Sequence, residues 1–273
     1  MVFFNLSLVD HADEIIAEFI KSNIQKAGKK GVVVGLSGGI DSSVVGILAK
    51  KALGEDHVMY LHLPDENSSK ADLEDVESIV GEANLEIINI SPIEKAYEEV
   101  FMKKSLSLLP LNNLNKGNIK SRIRMSILYT YASKMNYIVL GTGNKSELLT
   151  GYFTKYGDGG ADMLPIGDLY KTQVWELARK INIKERIINK VPSAGLWPGQ
   201  KDEDELGIDY ELLDKILYGI EHLYSLYDIA SSLGIDITIV NNVMDMVKKS
   251  WHKRNLPIIL KLGARTIGVD WID

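Results

Sequence analysis

The chain has 273 residues, of which 45% are hydrophobic and 25% charged, values typical of a globular protein with one large or two small domains. Cysteine is absent, which excludes disulfides, thiolate-bound metals and cysteine nucleophiles from this chain. The net charge of -6 argues against a broadly basic surface, so no nucleic-acid partner is expected.

Membrane insertion and secretion are not expected either. No hydrophobic run approaches the roughly 20 residues that a membrane-spanning helix needs. The first residues lack the basic region of a secretory signal. We therefore predict a cytoplasmic protein without a membrane partner.

The first half of the chain predicts strands that alternate with helices. The predicted strands are 31–36, 57–63, 85–90 and 137–140. The predicted helices are 15–24, 42–53, 70 to about 83, and 118 to about 134, and a further helix is predicted to begin at residue 92. This alternation favours a doubly wound parallel sheet flanked by helices, followed by a mainly helical part after about residue 170.

A glycine- and serine-rich segment, GLSGGIDSS at 35–43, follows the first strand. Gly38 and Gly39 let backbone N–H groups face an anion, and the positive end of the next helix would attract it. Asp41 would repel a bare phosphate, which predicts a divalent cation between them. The segment fits neither the Walker nor the dinucleotide pattern. Its alternative is an ordinary turn in which Asp41 or Ser42 caps the helix.

Two further polar segments follow strand ends, 64–69 and 141–147. Because the carboxyl ends of parallel strands share one edge of the sheet, all three segments are expected to converge there. The sequence GTGNKS at 141–146 nearly matches a nicotinamide-dinucleotide fingerprint. A single near-match late in the sheet does not support a dehydrogenase.

The string SGGIDSS resembles the signature of the PP-loop ATP pyrophosphatases, which cleave ATP between its α- and β-phosphates. The sequence GYFTKYGDGGAD at 151–162, after GTGNKSE, is similar to that of the NAD synthetases of this superfamily. The resemblance extends from the N-terminal helix to about Lys253. It implies an adenine nucleotide alpha hydrolase-like fold and one NAD synthetase domain over 1–273, without a glutaminase domain.

The implied reaction is the amidation of nicotinic acid adenine dinucleotide (deamido-NAD). ATP adenylates the nicotinate carboxylate, and ammonia then displaces AMP to give NAD, with pyrophosphate as the other product. The resemblance implies Mg²⁺ as a cofactor and a homodimer. Since the chain has no cysteine and no room for a glutaminase domain, it is expected to use free ammonia unless a separate glutaminase subunit delivers it.

The resemblance also implies site residues by their positions in the motifs. Those for ATP are Gly35, Leu36, Ser37, Gly38, Gly39, Ile40, Asp41, Ser42, Thr142, Lys171 and Ser193. Those for deamido-NAD are Arg122, Lys155, Asp162, His252 and Lys253, and those for magnesium are Asp41 and Glu147.

Two of these residues are the catalytic candidates. Lys171 would stabilise the leaving pyrophosphate together with the magnesium. Asp162 would receive ammonium and help to remove its proton, with a purely substrate-binding role as the alternative. The segment 144–146 departs from the Asp-His-Ala-Ala type of many members, so its contacts are left open.

The segment 192–209 combines prolines, glycines and an acidic run. Closure of such a loop over the site would shield an adenylate from water. Two other functions remain open: another PP-loop ligase, and a non-catalytic adenine-nucleotide-binding module. Retention of Asp41 and Glu147 argues against the module, and GYFTKYGDGGAD argues against the other ligases.

Overall fold

The computed structural model describes residue 2 and residues 4–81, 84–102, 111–255 and 257–265. The strands are β1 (Val32–Gly35), β2 (Val58–His62), β3 (Leu85–Ile87) and β4 (Ile138–Leu140). The helices of the sheet region are α1 (Ala12–Lys26), α2 (Ile40–Leu53), α3 (Lys70–Val80), α4 (Ser91–Met102), α5 (Asn113–Met135), α6 (Lys145–Thr150), α7 (Lys171–Lys180) and α8 (Glu185–Ile188). The helices that follow are α9 (Asp202–Leu206), α10 (Tyr210–Glu221), α11 (Leu226–Leu233), α12 (Ile237–Lys249) and α13 (Trp251–Arg254).

The four strands form one parallel sheet in the order β3-β2-β1-β4. Side chains of β1 alternate between the two faces: Val32 and Val34 join a core with α1, α2 and α7, whereas Val33 joins the core beneath α5. Since both faces are covered, the strands are apolar throughout. The predicted doubly wound parallel sheet is confirmed.

A second hydrophobic core lies in the helical part after residue 200. Helices α10, α11 and α12 pack around buried residues such as Tyr210, Leu213, Ile229 and Val240. Helix α10 also contacts α6 and α7, which follow the sheet edge. The predicted helical C-terminal part is therefore confirmed. Through α10 it packs against α6 and α7. Within the described residues, no helix is both long and apolar enough to span a membrane.

Several predicted boundaries were wrong for local reasons. Helix α3 ends at Val80 because Gly81 has a positive φ of 71°, and residues 82–83 lie outside the described residues. Strand β3 ends at Ile87 and is shorter than predicted. Pro64, which lies beside residues 88–90, has no N–H to donate to the sheet there. Helix α5 begins at Asn113, five residues early, because Asn112 forms a capping box there.

Candidate active site

The loop between β1 and α2 is shaped by its own serines and by Gly38. Gly38 has a φ of +83°, and a Cβ there would lie 2.7 Å from the Asp72 carbonyl oxygen. The Ser37 Oγ accepts the Gly39 N–H (3.1 Å), and the Ser42 Oγ donates to the Gly39 carbonyl (3.0 Å). The loop is thus preshaped, with its hydroxyls turned largely inward.

The predicted ATP-binding stretch 35–42 divides into two kinds of residue. Leu36 and Ile40 are buried in the hydrophobic core, so only their main chain is available to a ligand. Gly39 is the N-cap of α2 and makes no side-chain cap, so the alternative of a cap by Asp41 or Ser42 is wrong. The Asp41 side chain instead accepts hydrogen bonds from Asn144 and Lys171 at the sheet edge.

Asp41, Glu147 and Lys171 meet at the carboxyl edge of β1 and β4. The Lys171 Nζ lies 2.5 Å from the Asp41 Oδ2 and 3.9 Å from the Glu147 Oε1. The Lys171 side chain is only 3% exposed, against 18% for Asp41 and 17% for Glu147. Burial favours a neutral lysine, but the two carboxylates outweigh it and raise the pKa of Lys171.

Two carboxylates in this cluster face a single lysine. Burial and the neighbouring Asp41 charge raise the pKa of Glu147, and the lysine offsets them only in part. Across the described residues, no group of three or more histidines and carboxylates is placed to hold a metal by itself. Magnesium commonly takes one or two carboxylates and completes its shell with phosphate and water oxygens. Asp41 and Glu147 fit that pattern.

The segment 144–146, whose contacts were left open, positions this cluster. Asn144 is the N-cap of α6 and its side-chain amide donates to the Asp41 Oδ1 (3.0 Å). The Glu147 carboxylate accepts the Asn144 N–H (3.1 Å), completing a capping box. The Ser146 Oγ accepts the backbone N–H of Lys171 (3.0 Å) and donates to the buried Asp214. Four chain segments are thereby locked together.

Lys190 is a residue of the loop region that the sequence analysis missed. Its Nζ donates to the Gly38 carbonyl (3.2 Å) and pairs with the carboxylates of Asp72 (2.6 Å) and Asp75 (3.1 Å). It therefore fixes the direction of the Gly38 carbonyl in the loop between β1 and α2. No local pattern signals such a lysine, because its partners are more than 100 residues away in sequence.

Four of the predicted deamido-NAD residues surround the turn 151–158. The Arg122 guanidinium donates to the Lys155 carbonyl (3.3 and 3.4 Å), and the Lys155 Nζ donates to the His252 carbonyl (2.7 Å). The Lys253 Nζ donates to two carbonyls of the turn, each at 2.7 Å. The side chains of Arg122, Lys155 and Lys253, far apart in sequence, thus form one basic group, and His252 joins it through its main-chain carbonyl.

Three other predicted residues lie apart from these two groups. Asp162 is exposed, and its carboxylate accepts the Tyr129 hydroxyl (3.1 Å) and the Val139 N–H (2.9 Å). The Ser193 Oγ donates to a carbonyl within its own loop. In the part of the chain that the structure describes, no hydrogen bond joins Thr142 or Ser193 to the Asp41 cluster.

The segment 192–209 reaches the cluster through an acid that the sequence analysis noted only as part of a charged run. The buried Asp202 accepts hydrogen bonds from Tyr152 (3.0 Å), Tyr210 (3.3 Å) and the Ala194 N–H (3.0 Å). The ring of Tyr210 lies 5.3 Å from the Lys171 Nζ. Through Tyr210, Asp202 thus places the segment 192–209 beside the buried Lys171.

A parallel sheet with a preshaped glycine–serine loop after its first strand, and carboxylates at the same edge, defines a nucleotide-binding protein of the PP-loop class. The model of the NAD synthase family matches residues 13–257. The chain belongs to the NAD synthase family. The family predicted from the two motifs is confirmed, and with it an ammonia-dependent ligase.

Individual relatives agree with this assignment. The NH(3)-dependent NAD(+) synthetase of Pyrococcus horikoshii is 47% identical over 91% of this chain and 93% of its own length. The NH3-dependent NAD synthetase of Campylobacter jejuni has a TM-score of 0.73 and 34% identity, over 92% of this chain and 97% of its own. The NMN synthetase of Francisella tularensis has a TM-score of 0.78 and 33% identity, over 91% of this chain and 97% of its own.

Proposed function

We propose that this protein catalyses the ATP-dependent amidation of deamido-NAD by ammonia, giving NAD, AMP and pyrophosphate. The observation that carries the proposal is the cluster of Asp41, Glu147 and Lys171 beside the phosphate loop, in a chain of the NAD synthase family. Attack of a carboxylate on the α-phosphate brings negative groups together, and this cluster is where cations would offset the repulsion.

The loop, the two carboxylates and the lysine would each have a separate role. The loop amides around Gly38 and the N-terminus of α2 would bind the β- and γ-phosphates. Asp41 and Glu147 would hold Mg²⁺, which supplies charge neutralisation of the phosphates when it is bound. Lys171, buried and paired with both acids, would keep the leaving group's charge compensated as the α–β bond breaks.

The basic group of Arg122, Lys155, His252 and Lys253 would bind the phosphates or the nicotinate carboxylate of deamido-NAD. Asp162 retains two roles. It would receive ammonium and help to remove its proton, or it would only bind substrate. Its fixed, exposed carboxylate suits either role.

We also propose that the chain works as a homodimer in the cytoplasm and takes ammonia from solution. Helix α4 supports the dimer, because Ile93, Tyr97, Val100 and Phe101 are large apolar side chains exposed on one short helix. The whole length 1–273 would act as one NAD synthetase domain. Its consumption of ATP agrees with a cytoplasmic location.

The test is pyrophosphate release from purified protein with ATP, Mg²⁺ and ammonium. We expect release to depend on deamido-NAD and to match NAD formation, and glutamine not to replace ammonium. Asp41→Asn and Glu147→Gln should each lower kcat/KM by about 100-fold, as the loss of a charge-stabilising group does. Asp245→Asn, on the exposed α12 pair with Lys249, is the control and should change nothing. Release without deamido-NAD, or none at all, would contradict the proposal.

A mononucleotide is the second candidate substrate, because one similar structure is that of an NMN synthetase. The amidation chemistry would be unchanged, and only the second nucleotide half would be missing. Comparison of kcat/KM for deamido-NAD and for nicotinic acid mononucleotide decides between them. We expect deamido-NAD to be preferred, as the relative at 47% identity is named for NAD.

A further inference from the structure

Lys120 of α5 is a buried cation outside the groups described above. Its side chain is 4% exposed, and its Nζ lies 2.9 Å from the Asp65 carboxylate, 3.0 Å from the Leu196 carbonyl and 3.6 Å from the Glu94 carboxylate. A lysine ammonium has three protons, and two of them meet acceptors at hydrogen-bond distance, on Asp65 and Leu196, while Glu94 adds an ion pair. These three partners come from three separate segments: the loop after β2, the segment 192–200 and α4.

The loop after β2 is fixed by the same cluster. Asp65 is fully buried, and Arg124 donates to its carboxylate (3.3 Å) and to the Leu63 carbonyl (3.0 Å). Burial opposes ionisation of Asp65, but its hydrogen bond with Lys120 and its other partners outweigh burial and lower its pKa. Because Arg124 would remain, removal of the Lys120 charge does not leave Asp65 without a cation.

Helix α5 also contacts the segment 192–200 through apolar packing. A Cβ on Gly117, one turn before Lys120, would lie 3.0 Å from the Leu196 side chain and 3.2 Å from Trp197. Helix α5 thus holds Leu196 in two ways. Lys120 donates a hydrogen bond to its carbonyl, and its side chain packs closely against Gly117. Leu196 lies three residues after Ser193, a predicted ATP-binding residue.

We propose that Lys120 is a positioning residue that holds the segment 192–200 against the loop after β2, and so keeps water out of the reaction. This inference rests on the proposed function. Water that reached the adenylate would break its acyl–phosphate bond, returning deamido-NAD and releasing AMP. ATP would then be consumed without formation of NAD. The ratio of AMP released to NAD formed therefore reports the position of the segment.

The experiment compares Lys120→Met with Lys116→Met in the full chain. Lys116 is on the same helix but 44% exposed, and its Nζ pairs with Glu98 at 2.7 Å. At saturating ammonium we expect Lys120→Met to raise the AMP-to-NAD ratio about threefold, and Lys116→Met to leave it at the wild-type value. Lys120→Arg, which keeps a cation beside Asp65, should restore most of the coupling.

Hydrogen exchange gives a readout that does not depend on turnover. Amide protons of residues 193–200 should exchange about tenfold faster in Lys120→Met than in the wild type, while α5 keeps its protection. If Lys120→Met does not fold, Gly117→Ala replaces it, since the added methyl pushes on Leu196 and leaves the charge in place.

The outcomes separate the two proposals. A wild type that forms no NAD contradicts the proposed function itself. A wild type with one AMP per NAD, and a folded Lys120→Met with the same ratio and the same exchange, overturns only the role of Lys120. An equal rise in Lys116→Met overturns it as well, because the effect would then be general to the helix.

Discussion

Replacement of Asp214 by alanine tests how the buried part of the site is held together. Asp214 is fully buried on α10, and its carboxylate accepts hydrogen bonds from the Ser146 Oγ (2.5 Å) and the Thr172 N–H (2.8 Å). Hydrogen bonds to a charged group contribute about 1.5–3 kcal/mol each to the free energy of unfolding. Burial raises the pKa of Asp214, so desolvation offsets part of this gain. We expect a net loss of about 2–3 kcal/mol.

In Asp214→Ala we expect the catalytic efficiency to fall together with the free energy of unfolding. Thr172 follows Lys171 at the start of α7, so an unpaired Thr172 N–H loosens the first turn of that helix. We expect kcat/KM to drop about tenfold, the rate equivalent of about 1.4 kcal/mol. Urea unfolding and steady-state amidation kinetics measure the two effects.

A matched control is Asp209→Ala, which removes the exposed N-cap of the same helix α10. It should cost about 1 kcal/mol of unfolding free energy and leave kcat/KM unchanged. A loss below about 1 kcal/mol in Asp214→Ala would refute the reasoning, since the carboxylate would then contribute no more than an exposed cap. So would equal losses of activity in the two variants.

Two further predictions concern the surface and the loop between β1 and α2. Hydrogen bonds from Lys51 and Lys180 lower the pKa of Asp13 to about 2, so its stabilisation is present above about pH 4 and is lost as the pH falls through about 2. Both lysines are over 40% exposed, so Asp13→Asn should cost only about 1 kcal/mol of unfolding free energy at neutral pH. In urea unfolding this cost should shrink to a small part of that value near pH 2, and a cost that does not change with pH would contradict this. Gly38→Ala should lower stability by about 1–3 kcal/mol and weaken ATP binding about tenfold, because its positive φ and the Asp72 backbone exclude a methyl group. An unchanged ATP affinity by calorimetry would contradict it.

Features that depend on neighbouring residues were predictable from the sequence. The alternation of apolar strands with helices determined a parallel sheet, since both faces of each strand must be buried. The capping box of Ser69 and Asp72 is likewise a local feature, because its partners are three residues apart. The segment GLSGGIDSS forms a turn between the first strand and the next helix, because Gly38 can adopt the positive φ that the turn needs.

Only the tertiary structure decided which side chains meet. Asp41 contacts Asn144 and Lys171 across 103 and 130 residues, and Lys120 contacts the Leu196 carbonyl across 76. The family resemblance placed Asp41 and Lys171 in one site, but the contacts of Asn144 and Lys120 were not predictable, because they follow from how the helices pack on the sheet. The sequence determined the kinds of residue the site needs. Their pairing was decided by the fold, because a buried charge is stable only where distant segments supply its partners.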